Sequence, residues 1–117
     1  MYAITEGAKK INDVKLHTFS RNVKHVNTDL DVEAGTTGFK GYVPREKSAR
    51  AYVAIGCNQG DFLFDPIKDE DGWAVGIEIT CCGDGALMSL VDTLGFAMRT
   101  PALHLFRQLP LLSVFLC

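Results

Sequence analysis

Between Trp73 and Thr80 the chain alternates strictly: Trp73, Val75, Ile77 and Ile79 on one side, Ala74, Gly76, Glu78 and Thr80 on the other. Successive side chains of a strand point to opposite faces, so this stretch predicts a strand with one wholly apolar face. Such a face needs a cover, and that need constrains the fold more than any other stretch. A cover follows at once in the sequence. Asp84 is suited to a helix N-cap, and Leu87, Leu90, Val91, Leu94, Ala97 and Met98 recur at three- and four-residue spacing. This predicts an amphipathic helix over 85–99 lying on the sheet. Thr100-Pro101 is expected to end it, because the residue before proline is pushed out of the helical region. The same pair suits the start of a second, short helix over 102–109. Pro110 then stops that helix, and an apolar tail runs from Leu111 to Cys117.

Upstream, the strand signals repeat. Val26, Thr28, Leu30, Val32 and Ala34 alternate with Asn27, Asp29, Asp31 and Glu33, the pattern of a strand with one wet face. Residues 1–12 are ambiguous: Ile4, Ala8 and Ile11 sit at helical spacing, but Gly7 weakens a helix. A first strand is expected through Val14 and Leu16 to Phe19, with a turn at 20–22. Gly35, Gly38 and Gly41 mark a loop, after which 49–56 and 61–67 read as strands. Asp69-Glu70-Asp71-Gly72 reads as a hairpin turn. Strands followed by helix predict an α+β domain over 1–117: a mostly antiparallel sheet of four to six strands, with one long C-terminal helix packed on one face, then a short helix and an apolar tail.

The tail bears on assembly. Its ten residues from Gln108 carry no charged side chain, whereas a chain end is usually polar and frayed. Surface of this kind has to be buried. Pro110, Arg107, Pro101 and Arg99 interrupt it well before the roughly 20 apolar residues that cross a membrane. The expectation is a homo-oligomer, dimer or higher, held through Leu111, Leu112, Val114, Phe115 and Leu116. No membrane partner is expected.

Charge is uneven along the chain. Residues 1–50 hold nine Lys/Arg and six Asp/Glu, whereas 51–80 hold one Lys and six acids. That mild split lacks the strong basic stripe of a nucleic-acid binder and suits contact between subunits. The cysteines, Cys57, Cys81, Cys82 and Cys117, show no Cys-x-x-Cys spacing, and no signal-peptide pattern opens the chain. A cytoplasmic protein with reduced thiols is the expectation.

Motifs that carry chemistry are few. In the glycine loop Lys40 precedes the last glycine, the reverse of a phosphate-binding loop. The acidic turn mimics a calcium loop started at Ile67, but isoleucine offers no oxygen for its first position. His17, His25 and His104 show no metal-ligand spacing with the thiols, so neither metal nor cofactor is expected. A small enzyme would have to use His17, His25 or Cys82. One patch has ligand-binding character: Arg45, Lys47 and Arg50 suit a small anionic ligand, with Tyr52 and Trp73 placed to stack a ring.

The run Leu30-Asp-Val-Glu-Ala-Gly-Thr-Thr-Gly-Phe-Lys-Gly41 and the turn Cys82-Gly83-Asp84-Gly85 resemble segments of uncharacterised small accessory proteins of phages and mobile elements, of the integron-cassette type. In outline the likeness covers 22–98; 42–48 departs from the Gly/His-rich loop of that pattern. It implies mobile cargo and transfers no catalytic residue. The reading that results is a non-enzymatic, oligomeric binding or interaction protein. The alternatives are a small-molecule or nucleotide-binding module and, behind it, a small enzyme.

Overall fold

The computed structural model describes residues 4–38 and 49–108. The order is β1 (Ile4–Ile11), β2 (Val14–His25), β3 (Thr28–Thr36), β4 (Ala51–Gln59), β5 (Phe62–Lys68), β6 (Ala74–Cys81) and α1 (Asp84–Gln108). The first four strands form an antiparallel sheet in the order β1-β2-β3-β4, and β5 and β6 form a separate two-stranded sheet. The α+β class is as the sequence predicts.

Local chemistry sets the turns. Asn12 and Asp13 both take positive φ, 49° and 64°, the geometry that joins β1 to β2 in a two-residue hairpin. Residues 4–11 are therefore a strand. The expected turn at 20–22 is absent, because β2 runs straight through Ser20-Arg21-Asn22, with Ser20 and Arg21 paired on both sides and Asn22 paired to β3. The next turn falls at Val26-Asn27, with Asn27 at φ 56°. This takes Val26 out of the alternation and leaves it 78% exposed. From Thr28 to Ala34 the predicted alternation holds: Leu30, Val32 and Ala34 are buried, while Asp29, Asp31 and Glu33 share the opposite face.

α1 crosses β2, β3 and β4 on one face of the four-stranded sheet. Val23, Val32, Ala34, Phe96 and Ala97 form the core, flanked by Phe19 and Ile55. The Arg21 guanidinium lies 5.9 Å from the Phe96 ring centroid. Burial of each large apolar side chain here contributes about 1.5–3 kcal/mol.

Two expectations about the helix are corrected. First, it is a single helix, continuous through Pro101 to Gln108, rather than two. Proline's own φ is helical; it removes one hydrogen bond and crowds the preceding turn, which costs stability without ending this helix. Gly83, at φ 108°, takes the cap position, since its carbonyl accepts the first helical bond from Leu87 N–H (3.0 Å). Asp84 falls in the first turn, where its charge suits the N-terminal dipole.

Second, the helix turns the other way round. Its sheet-facing side is Ala86, Ser89, Thr93, Phe96 and Ala97, all buried. Of the six residues expected against the sheet, Ala97 is buried there and Leu90 is half-buried, but Leu87, Val91, Leu94 and Met98 face outward at 54%, 59%, 49% and 70% exposure. Close approach explains the choice. A Cβ on Gly85 would sit 2.7 Å from the Val26 carbonyl oxygen, so the helix start rests on the β2–β3 turn. Ser89 and Thr28 share a buried hydrogen bond (2.6 Å), and His25 Nε2 meets Asp92 Oδ2 at 2.7 Å. Small side chains let the backbones come together, and the Ser89–Thr28 pair satisfies two of the hydroxyls that this buries.

Candidate functional site

The β5–β6 hairpin carries the strand from which the fold was first read, and its pairing sets what it presents. Phe62 lies opposite Cys81, Phe64 opposite Ile79 and Pro66 opposite Ile77, so these six share one face; past Gly76 the register shifts by a bulge at Val75, which leaves Val75 and Trp73 at the tip beside that face. Near the base the face is half-buried, with the Phe62 and Phe64 rings stacked at 6.4 Å. Towards the tip it is open: Ile77, Val75 and Trp73 are 62%, 64% and 72% exposed. At the tip Asp69 Oδ1 accepts from Asp71 N–H (2.9 Å) and Trp73 N–H (3.0 Å), and Gly72 takes φ 87°, which fixes the predicted turn.

The helix does not cover this face. It packs on β2–β4, and the base of the hairpin is closed by one further rung, where Cys82 N–H donates to the Asp61 carbonyl (3.2 Å). An isolated two-stranded hairpin is marginal in water. Among the described residues thirteen large apolar side chains are exposed, against eight buried apolar ones of which three are alanine. The excess lies mainly in two places, the hairpin and the outward stripe of α1. These two surfaces are the candidate site, an interaction surface rather than a pocket.

The other face of the four-stranded sheet holds an open cleft of ≈ 800 Å³, lined in part by Thr5, Ser20, Asn22, Lys24, Asp31 and Glu33. Two amides bind its acids together. Asn22 Nδ2 donates to Asp29 Oδ1 (2.5 Å) and Asp31 Oδ1 (2.8 Å), and Asn58 Nδ2 donates to Asp31 Oδ2 (2.7 Å). Asn58 reaches them because the β3–β4 register shifts between Asp29 and Leu30, a bulge that re-aims its side chain. The Asn22 hydrogen bond holds the Asp29 carboxyl below its ordinary value, against partial desolvation and with help from Asn58 and Lys24. Buried Thr18 donates to Glu33 Oε2 (2.6 Å). These acids are ionised acceptors already engaged within the sheet. They can take a cation or a hydroxyl donor on their free lone pairs.

Of the residues expected to bind an anion, Arg50 and Tyr52 stand together at the start of β4. Arg50 Nε donates to the Ile11 carbonyl (3.4 Å), and Lys9 Nζ lies 4.9 Å from the Tyr52 ring centroid. Trp73 is in the other sheet, and none of the three lines the cleft. Arg45, Lys47 and the expected interface residues Leu111, Leu112, Val114, Phe115 and Leu116 lie outside the described residues. His17 pairs with Glu6 (2.8 Å), His25 with Asp92, and Cys82 is exposed at the hairpin base, so the three do not converge. Among the described residues no group of three His, Cys, Asp or Glu is placed to hold a metal ion, and no helix is long and apolar enough to cross a membrane.

Sequence reasoning found the apolar hairpin face but missed the outward stripe of α1. The signal was present: Gly85, Ala86, Ser89, Thr93 and Ala97 form a run of small residues at helical spacing. Comparison with protein-family models, with curated proteins and with solved structures found no match.

Proposed function

We propose that this chain is a non-enzymatic interaction protein that works as a homo-oligomer. One observation carries the reading: the chain keeps its largest apolar surfaces, the hairpin face and the α1 stripe, outside its own core. Patches of this extent on a soluble chain mark contact with another macromolecule. The uneven charge, basic in 1–50 and acidic in 51–80, favours copies of itself over nucleic acid. Size-exclusion chromatography with light scattering on the full chain tests it. A mass of two or more protomers is expected; a monomer at all concentrations sinks it. Carriage by a mobile element belongs to the same proposal and is checked by the genes that flank the coding sequence.

The ≈ 800 Å³ cleft favours a second reading, a module for a small polar ligand. Its hydroxyls, amide and carboxylates suit a polyol or an amine better than the anion expected from Arg50 and Tyr52. A thermal-shift screen of amines, polyols and nucleotides distinguishes these. A hit that survives Asn22→Ala and Glu33→Gln places the ligand elsewhere.

A further inference from the structure

We infer that the chain forms an arm-exchanged dimer: the apolar face of the β5–β6 hairpin of one copy lies along the Leu87–Met98 stripe of α1 in a second copy, and reciprocally. This rests on the self-association proposed above and names the surfaces that make it. Four observations meet here.

The two surfaces match in extent. Seven residues of β5 span about 23 Å as a strand, and the helix stripe from Leu87 to Met98 rises about 17 Å. Together they leave on the order of 1,000 Å² of apolar side-chain surface exposed on each copy, which is what a standard interface takes from one partner. The stripe at 87, 91, 94 and 98 has the 4-3-4 spacing of a seam, a narrow ridge that a flat two-stranded face can straddle.

The hairpin and the helix of one chain stay apart. β6 ends at Cys81 and α1 begins at Asp84, so the helix leaves from the hairpin base and runs across β2–β4. Two complementary faces on one chain, uncovered among the described residues, allow a two-fold dimer in which each copy supplies both halves of the contact.

Charge sets the direction. The hairpin tip carries Asp69, Glu70 and Asp71, while the stripe has Asp84 at its start and Arg99 just past Met98. The acidic tip therefore lies towards Arg99 of the second copy, and the half-buried phenylalanines at the hairpin base lie towards the start of that helix. A hairpin that is marginal alone becomes a covered layer.

The chain has one tryptophan, Trp73 at the exposed tip beside this face, so its fluorescence reports whether a second copy covers the tip. On dilution of the full chain, the loss of dimer mass and a red shift of Trp73 emission are expected at the same concentration. Ile77→Lys on the hairpin and Leu94→Glu on the helix are each expected to weaken the dimer roughly 30-fold or more. Both positions are exposed in the single chain, so neither substitution touches the core. Mixing the two variants restores one intact contact and one Lys–Glu contact, so dimer mass should return in the mixture. That return is specific to exchange. If helices pair with helices, or if the tail covers α1, Ile77→Lys leaves the wild-type mass unchanged and overturns this inference while self-association stands. A wild-type monomer overturns both.

Discussion

Single side chains show what the helix gave up by turning its small face inward. Thr93 is fully buried and its hydroxyl has no hydrogen-bond partner. An unpaired buried hydroxyl costs about 1–3 kcal/mol, whereas an apolar group of the same shape costs nothing there. Thr93→Val is therefore expected to stabilise the fold by about 1 kcal/mol, read as a higher urea midpoint with unchanged slope; a lower midpoint would mean that the hydroxyl is satisfied. Asp29 makes the opposite case. Its folded-state value lies below the ordinary 3.8, chiefly through Asn22, so the carboxylate is worth more to the folded than to the unfolded chain. That stability is present above 3.8 and is lost as pH falls through the lowered folded value. Asn22→Ala should lower the urea midpoint at about pH 6, and the gap to wild type should narrow as pH falls through the lowered folded value, where the Asp29 carboxylate is lost. A gap that is constant with pH would assign the loss to Asn22's bond to the Leu30 carbonyl.

The same side chains fix how the elements are set. By hydrophobic period alone, Ser89 belongs on the wet side of α1; in the structure it is buried against Thr28. The two views part at Ser89→Leu. An exposed position would tolerate it within about half a kcal/mol, whereas overpacking at this close approach is expected to cost about 1–3 kcal/mol in thermal or urea unfolding. The strands were largely legible in the sequence. Leu30, Val32 and Ala34, or Trp73 to Ile79, announce a strand because period two is local and needs no partner to be seen. The β1–β2 hairpin was not, because Asn12 and Asp13 make their turn by taking left-handed φ rather than through a glycine. The helix was legible as an element but not in its rotation. Apolar periodicity says which side avoids water, not what covers it, and a covering second chain leaves the same mark as a covering sheet. The candidate surface inherits that limit. Its hairpin half was visible in 73–79, while its helix half looked like core. The amide–carboxylate network was hidden for another reason: Asn58 joins Asp31 through a bulge, and a bulge depends on pairing between distant strands.

For the whole molecule, the question is where the missing core lies. Among the described residues the buried cluster around Val23, Val32 and Phe96 is small, and domains of about this size have little margin. Apolar groups left in water contribute nothing to that margin, whereas the same groups covered by a second copy add to it, and stability becomes tied to protomer concentration. This tie has a measurable slope. For a dimer that unfolds directly to two free chains, each tenfold rise in protomer concentration stabilises the folded state by about 1.4 kcal/mol, which for two chains of this length raises Tm by about 3 °C. The wild-type chain should show that slope by calorimetry across the range where light scattering reports a dimer, and Leu94→Glu should flatten it as it lowers the mass. A Tm independent of concentration, in a chain that light scattering shows to be dimeric, would mean that each copy folds without the other. The hairpin and the stripe would then be a surface added to a finished core rather than the part of the core that a second copy completes.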